Sequence, residues 1–306
     1  MEIAPIFFIL LKNIYAFGDS YTDTGNTHSN SGPSGFMFVS NLPYGRTFFH
    51  RPTNRYSDGR LVIDFVAPVA AALSRPHVAI DHGQRQLRGR RLDGHRPQLL
   101  REEQHDAQHH AAVDLDAAGL DALIWVGEIG ANDYAYSFGS SVPSQSIQNL
   151  AINSVTAFLQ ALMKKGAKYV VVQGLPSTGC LTLSMYLAPP NDRDIAGCVG
   201  TANKQSSSHN TVLKPKRDQQ PKSHGGITEP YKVCCGHGGG AYNFDYLNAC
   251  GSPSASSCGT PTRYINWDGV HLTEAMNRAM ANAFLNETYA QPPFTHLLAR
   301  KHKSSA

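Results

Sequence analysis

Three short stretches of the chain hold residue types that together could perform acyl transfer. Phe17-Gly18-Asp19-Ser20-Tyr21 presents a serine hydroxyl directly after an apolar run. Trp267-Asp268-Gly269-Val270-His271 sets a carboxylate three residues before an imidazole, so that one turn of chain can bring them together. Gly130-Ala131-Asn132-Asp133-Tyr134 supplies a carboxamide. A serine hydroxyl is a poor nucleophile until a base takes its proton, and His271 is the candidate base. Asp268 would fix the imidazole tautomer and stabilise the imidazolium. The Ser20 backbone N–H and the Asn132 side chain are candidate donors to an oxyanion. Each stretch alone has a plainer reading: Gly-Asp-Ser and Asn-Asp are common turns, and an Asp–His pair is often structural. The functional reading rests on all three occurring in one chain.

Those residues need elements to position them. The apolar run Ile6 to Leu11 and then Ile14-Tyr15-Ala16 reads as a short buried strand; Gly18-Asp19-Ser20 break it, and Thr22, Asp23 and Thr24 are helix N-cap types. Ser20 is thus expected at a strand-to-helix corner, at the carboxyl end of a sheet, where open α/β folds bind ligands. A helix N-terminus beside it would favour a developing negative charge. Ala122 to Val126 reads as a second buried strand, with Gly127 to Tyr134 as the loop at its end. Leu61, Val62, Phe65, Val66, Val69, Ala70 and Leu73 recur at helical spacing, interrupted by Pro68. Ile147, Ala151, Val155, Phe158 and Leu162 predict a helix closed by Lys164, Lys165 and Gly166, and Tyr169 to Val172 a third strand. Strands alternating with helices predict a parallel sheet. Thr273 is placed to cap a final helix that carries Ala275, Met276, Ala279, Met280, Ala283 and Phe284 on one face.

The order and spacing of these pieces resemble the plant-type GDSL esterases/lipases of the SGNH-hydrolase superfamily. Phe17 to Asn26, Gly130 to Asp133 and Asp268 to His271 match the family's first, third and last blocks. Further matches are Leu42-Pro43-Tyr44-Gly45, Arg55 to Arg60, Gly174-Leu175-Pro176 with Gly179-Cys180, and Cys234-Cys235-Gly236 leading to Tyr242-Asn243. The resemblance implies a three-layer α/β/α sandwich, flavodoxin-like, with a mostly parallel sheet. It also implies a secreted serine carboxylic-ester hydrolase using Ser20, Asp268 and His271, with no metal or cofactor and a small-molecule or carbohydrate ester as its partner. No stretch builds a recognisable long acyl groove, so short-chain or acetyl esters of plant metabolites or carbohydrates are expected. The family's second block, a Gly-rich stretch whose glycine N–H also binds the oxyanion, has no counterpart here. Loss of one such donor typically costs about 2.7–4 kcal/mol. Two alternatives therefore stand beside the hydrolase: a catalytically impaired or non-catalytic homologue, whether binding protein or defective gene product, and an acyltransferase using the same triad.

Length and composition are compatible with this reading. The chain has 306 residues, 41% of them hydrophobic, enough for one large domain, expected over 13–296 with a tail at 297–306. A net charge of +4 gives no argument for a nucleic-acid partner, and no apolar run reaches membrane-span length. Residues 1–12 include an apolar run, Ile3 to Leu11, that suits a remnant signal segment, although a basic start and a small-residue cleavage site are lacking. Two stretches are anomalous. Residues 75–112 hold seven Arg, six His and five Gln with no Phe, Tyr or Trp. They read as a solvated loop or, where the missing second block should lie, as an out-of-frame stretch. A metal or nucleic-acid patch is disfavoured by the lack of ligand spacing and aromatic residues. Residues 212–230 are polar and breaker-rich, with too little room expected for both a helix and a strand. Cys180, Cys198, Cys234, Cys235, Cys250 and Cys258 suit disulfides, adjacent Cys234 and Cys235 reaching different partners. Asn286-Glu287-Thr288 is a glycosylation sequon.

Overall fold

Three four-residue runs, each apolar at every position or nearly so, form the central sheet of the computed structural model. The structure describes residues 14–27, 38–70, 122–137, 140–213, 226–286, 289, 290 and 292. Strands β1 (Ile14–Phe17), β2 (Leu123–Val126) and β3 (Tyr169–Val172) pair in parallel in the order β1-β2-β3. Because side chains alternate along a strand, each strand serves two faces. Ile14, Ala16, Leu123, Trp125 and Tyr169 meet helices α1 (Val62–Ala70) and the last helix, α6 (Glu274–Leu285), through Val62, Ile63, Val66 and Ala281. Phe17, Ile124, Val126 and Val170 meet α3 (Ser144–Lys165) through Phe158, Leu159 and Leu162. Helices on both faces of a parallel sheet make the expected three-layer α/β/α sandwich.

The helices end where their sequences say they should. Helix α3 stops at Gly166, whose φ of 95° is a left-handed cap, and the Ala167 N–H reaches back to the Leu162 carbonyl. Helix α6 starts at Thr273, whose hydroxyl accepts from the Met276 N–H. Helix α1 runs through Pro68 to residue 70.

One expectation is corrected. Asn132 lies in helix α2 (Ala131–Ser137), not in a loop; the Gly130 carbonyl already accepts from the Tyr134 N–H, so the loop after β2 ends at Gly130. Ahead of Cys234 the described residues hold a helix and a strand, and that strand is not part of the central sheet. After α4 (Thr182–Leu187), helix α5 runs over Gly200–Leu213, and β4 (Glu229–Val233) follows. What the polar sequence of α5 obscured is that its buried face is itself polar, built of Asn203, Ser206 and His209. β4 pairs in parallel with β7 (Tyr264–Asn266), outside the central sheet, and β5 (Cys235–Gly236) pairs antiparallel with β6 (Ser256–Ser257). The anomalous 75–112 stretch, residues 1–12 and residues 297–306 lie outside the described residues.

The six cysteines form Cys180–Cys198, Cys234–Cys258 and Cys235–Cys250. Closing loops of this length stabilises by about 3 kcal/mol each in the chain-entropy picture. The adjacent pair also braces the segment leading to Asp268. The Cys234 and Cys235 N–H groups donate to the carbonyls of Asn266 and Trp267, at 3.0 and 2.7 Å.

Candidate active site

All the candidate groups lie at or near the carboxyl ends of the three parallel strands. Beyond β1 the chain makes one tight turn: the Thr22 and Asp23 N–H groups both donate to the Asp19 carbonyl at 3.0 Å, and the Tyr21 N–H donates to the Asp19 carboxylate. This turn presents Ser20, half-buried, at its crest. The loop after β2 packs directly beneath it. A Cβ on Gly127 would stand 2.4 Å from the Thr22 hydroxyl, so only glycine lets the two loops approach this closely. A buried Glu128 carboxylate accepts from that same hydroxyl at 3.0 Å.

The third segment arrives from the far end of the chain. Trp267 is fully buried, and the Trp267 N–H donates to the His271 carbonyl, closing Asp268 to His271 into a tight loop. Gly269 sits at φ 103° within it. The loop is clamped by residues 44–60, a segment of turns and bends. The Ser57 hydroxyl donates to the Leu272 carbonyl at 3.0 Å, the Asp58 carboxylate accepts from the Glu274 N–H at 2.7 Å, and the Arg60 guanidinium pairs with Glu274 at 2.7 Å. The match around Arg55 to Arg60 thus acts as a strap over the start of α6.

The resulting geometry is a hydrogen-bonded line. Ser20 Oγ lies 2.7 Å from His271 Nε2, and His271 Nδ1 lies 2.8 Å from Asp268 Oδ2. His271 is 1% exposed. Burial raises the Asp268 pKa, but the adjacent His271 and the hydrogen bonds the carboxylate accepts outweigh it and hold Asp268 below the usual carboxylate range. An ionised Asp268 can only accept, so the proton between it and the imidazole sits on Nδ1, and Nε2 is left to accept from the Ser20 hydroxyl. That is the arrangement in which serine can lose its proton to histidine during attack on a carbonyl.

Three tyrosines enclose the imidazole and its acid. The Tyr56 ring lies 4.5 Å from the His271 ring at 31°, and Tyr21 lies 5.4 Å away on a ring whose hydroxyl donates to the Val270 carbonyl. The Tyr44 hydroxyl donates to Asp268 Oδ2 at 2.8 Å. Burial pushes Tyr56 up to about 12 and drives Tyr21 and Tyr44 well above the usual phenol range, with Asp268 adding to each. All three therefore stay neutral. Burial also lifts Glu128 to about 7, hydrogen bonds from its own backbone and Thr22 opposing the rise.

Asn132 is half-buried in the first turn of α2, and its carboxamide makes no hydrogen bond among the described residues. The helix is held from below by His209, which is fully buried and whose Nδ1 lies 3.0 Å from the Tyr134 hydroxyl. The Asp23 carboxylate accepts from the N–H groups of Gly25, Asn26 and Thr27, as its N-cap type predicts, and the helix expected to follow lies outside the described residues. Sequence reasoning missed Tyr21, Tyr44, Tyr56, Glu128 and His209. Tyr21, Tyr44 and Tyr56 stand in stretches that match the family but were given no role of their own, and Glu128 left a signal as a single carboxylate inside an otherwise apolar strand-and-loop run. Among the described residues no cluster of His, Cys, Asp or Glu is arranged to hold a metal, and no helix is long and apolar enough to cross a membrane. Asn286 is exposed at the end of α6.

A three-layer α/β/α fold with a serine, an imidazole and a carboxylate in line at the strand ends defines a serine-hydrolase class of protein. The sequence pattern of the GDSL-like lipase/acylhydrolase family matches residues 14–284. The chain is similar to GDSL esterase/lipase At3g48460 of Arabidopsis thaliana, 42% identical with 95% of this chain and 90% of that protein covered. It is also similar to GDSL esterase/lipase At1g28640 of the same plant, 32% identical with 92% and 87% covered. The chain belongs to the GDSL-like lipase/acylhydrolase family and is a carboxylic-ester hydrolase of the GDSL type, acting on small-molecule esters. The alignment to the first relative spans 344 positions, more than the 306 residues of the chain, so that relative carries residues absent here.

Proposed function

We propose that Ser20 is the nucleophile, His271 the general base and then general acid, and Asp268 the residue that orients and charges the imidazole. The observation that carries this is the continuous line from Ser20 Oγ through both ring nitrogens to Asp268, at 2.7 and 2.8 Å. Ser20 attacks the ester carbonyl as its proton passes to Nε2. The imidazolium then protonates the leaving alcohol, and a water molecule, deprotonated by the same nitrogen, hydrolyses the acyl-serine. The Ser20 N–H and the Asn132 carboxamide are the two oxyanion donors; neither makes a competing hydrogen bond among the described residues, which supports the role.

The preferred substrates are short-chain or acetyl esters of plant metabolites or carbohydrates. The protein is a single hydrolase domain over 13–296, secreted, with Asn286 as a glycosylation position. Three disulfides and the exposure of Asn286 support the last two points. The test is hydrolysis of p-nitrophenyl acetate, butyrate and decanoate, and of an acetylated xylo-oligosaccharide, by the wild type and Ser20→Ala. Turnover that falls steeply with acyl length and drops at least about 1000-fold in Ser20→Ala is expected. Equal turnover in the variant contradicts the assignment.

A further inference from the structure

We propose that Tyr44 is a positioning residue for the reaction, holding the Asp268 carboxylate in the orientation from which it serves His271. This rests on the assignment of Ser20, His271 and Asp268 above. Tyr44 is 2% exposed, too deep to touch substrate, and its ring packs edge-on against Trp267 at 5.9 Å within the cluster around Cys234 and Cys235. Packing alone needs only a phenyl ring there. A buried hydroxyl without a partner is costly, and the partner that Tyr44 finds is the proposed triad acid, 224 residues away in the chain.

The hydrogen bonds on Asp268 divide in an informative way. Oδ1 accepts from the N–H groups of Val270 and His271, at 3.0 and 2.8 Å, within its own loop. Oδ2 accepts from His271 Nδ1 and from Tyr44, both at 2.8 Å. Tyr44 is thus the contact outside the loop that fixes where Oδ2 points, and it shares the same oxygen with the imidazole. Sharing lowers the basicity of that oxygen. Without the hydroxyl the carboxylate would be freer to rotate and more basic toward the imidazole, so the imidazolium would persist to higher pH. The other titratable groups around the pair are Tyr21 and Tyr56, both neutral, with Asp19, Asp23 and Glu128 further out under the Ser20 turn. None of these donates a hydrogen bond to Asp268 Oδ2 among the described residues, so none replaces Tyr44.

The test is Tyr44→Phe, which keeps the ring, assayed for kcat, KM and the pH dependence of kcat/KM alongside Ser20→Ala. A folded Tyr44→Phe is expected to lose about tenfold in kcat with KM unchanged, and its acid limb should move up by about half a unit or more. A folded variant with wild-type kcat and an unmoved acid limb overturns the proposal. Where Tyr44→Phe does not fold, 3-fluorotyrosine placed at position 44 by codon suppression keeps the packing and donates a more acidic proton. It should move the acid limb the other way, downward, and no movement overturns the proposal. Full activity in Ser20→Ala would instead overturn the triad itself, and Tyr44 with it; an inactive Ser20→Ala beside an unmoved acid limb removes only Tyr44.

Discussion

Replacing Asp268 by asparagine should silence this enzyme while leaving it folded, and the hydrogen bonds on the carboxylate say why. The carboxylate accepts from two backbone N–H groups on Oδ1 and from His271 Nδ1 and Tyr44 on Oδ2. A carboxamide keeps one accepting end and makes the other a donor. If the amide nitrogen faced the two backbone N–H groups, neither could turn away, and each buried unpaired donor would cost about 1–3 kcal/mol. If it faces the Oδ2 side, the Tyr44 hydroxyl can rotate to accept, and His271 can move its proton from Nδ1 to Nε2. The second arrangement wins by about 2–6 kcal/mol before the cost of the tautomer shift. It leaves Nε2, 2.7 Å from Ser20 Oγ, protonated and unable to act as base. We expect kcat/KM for p-nitrophenyl acetate to fall about 10,000-fold, as a wrong-tautomer triad does, or about 5 kcal/mol of lost transition-state stabilisation. The assay is steady-state hydrolysis near pH 7.5 with a thermal melt on the same sample. A folded variant within tenfold of the wild type would refute the tautomer argument.

Two further perturbations probe the supports of the site. Glu128, lifted to about 7 by burial, favours the folded state while protonated, so its contribution is complete below about pH 4.5 and is lost as pH rises through about 7. Melts of the wild type and Glu128→Gln at pH 5 and 8 should show the wild type losing on the order of 3 kcal/mol more than the variant across that window; parallel curves would exclude a protonated Glu128 under the Ser20 turn. The double variant Cys235→Ser/Cys250→Ser opens a loop of sequence separation 15 and should lower stability by about 3 kcal/mol. Because Cys235 holds the Trp267 carbonyl, esterase activity should fade at a lower temperature than in the wild type. Unchanged thermal inactivation would show that this disulfide does not brace the Asp268 loop.

What the sequence revealed and what it hid follow from how local the signals are. The central strands and α3 were legible because apolar period and a glycine cap are written within one element, as in Ile147 to Gly166. Ser20, Asp268 and His271 were legible because each sits in a short stretch with its own chemical logic. Helix α5 was obscured because its buried positions, Asn203, Ser206 and His209, are polar and hydrogen-bond to tertiary partners that no local pattern announces. Tyr44 and Tyr56 stood in family-matching stretches without a role, since their meaning depends on contacts with Asp268 and His271 more than 200 residues away. Asp23 shows the same limit at short range. Its type marked it as a cap, but only geometry shows which N–H groups its carboxylate takes, those of Gly25, Asn26 and Thr27.

The most direct measurement on the central claim is to react the purified protein with a fluorophosphonate, digest it and locate the adduct by mass spectrometry. One adduct is expected, on the peptide that carries Ser20, with labelling slowed in Asp268→Asn and abolished in Ser20→Ala. An adduct on another serine, or an intact, cooperatively melting protein that takes up no label, would contradict it.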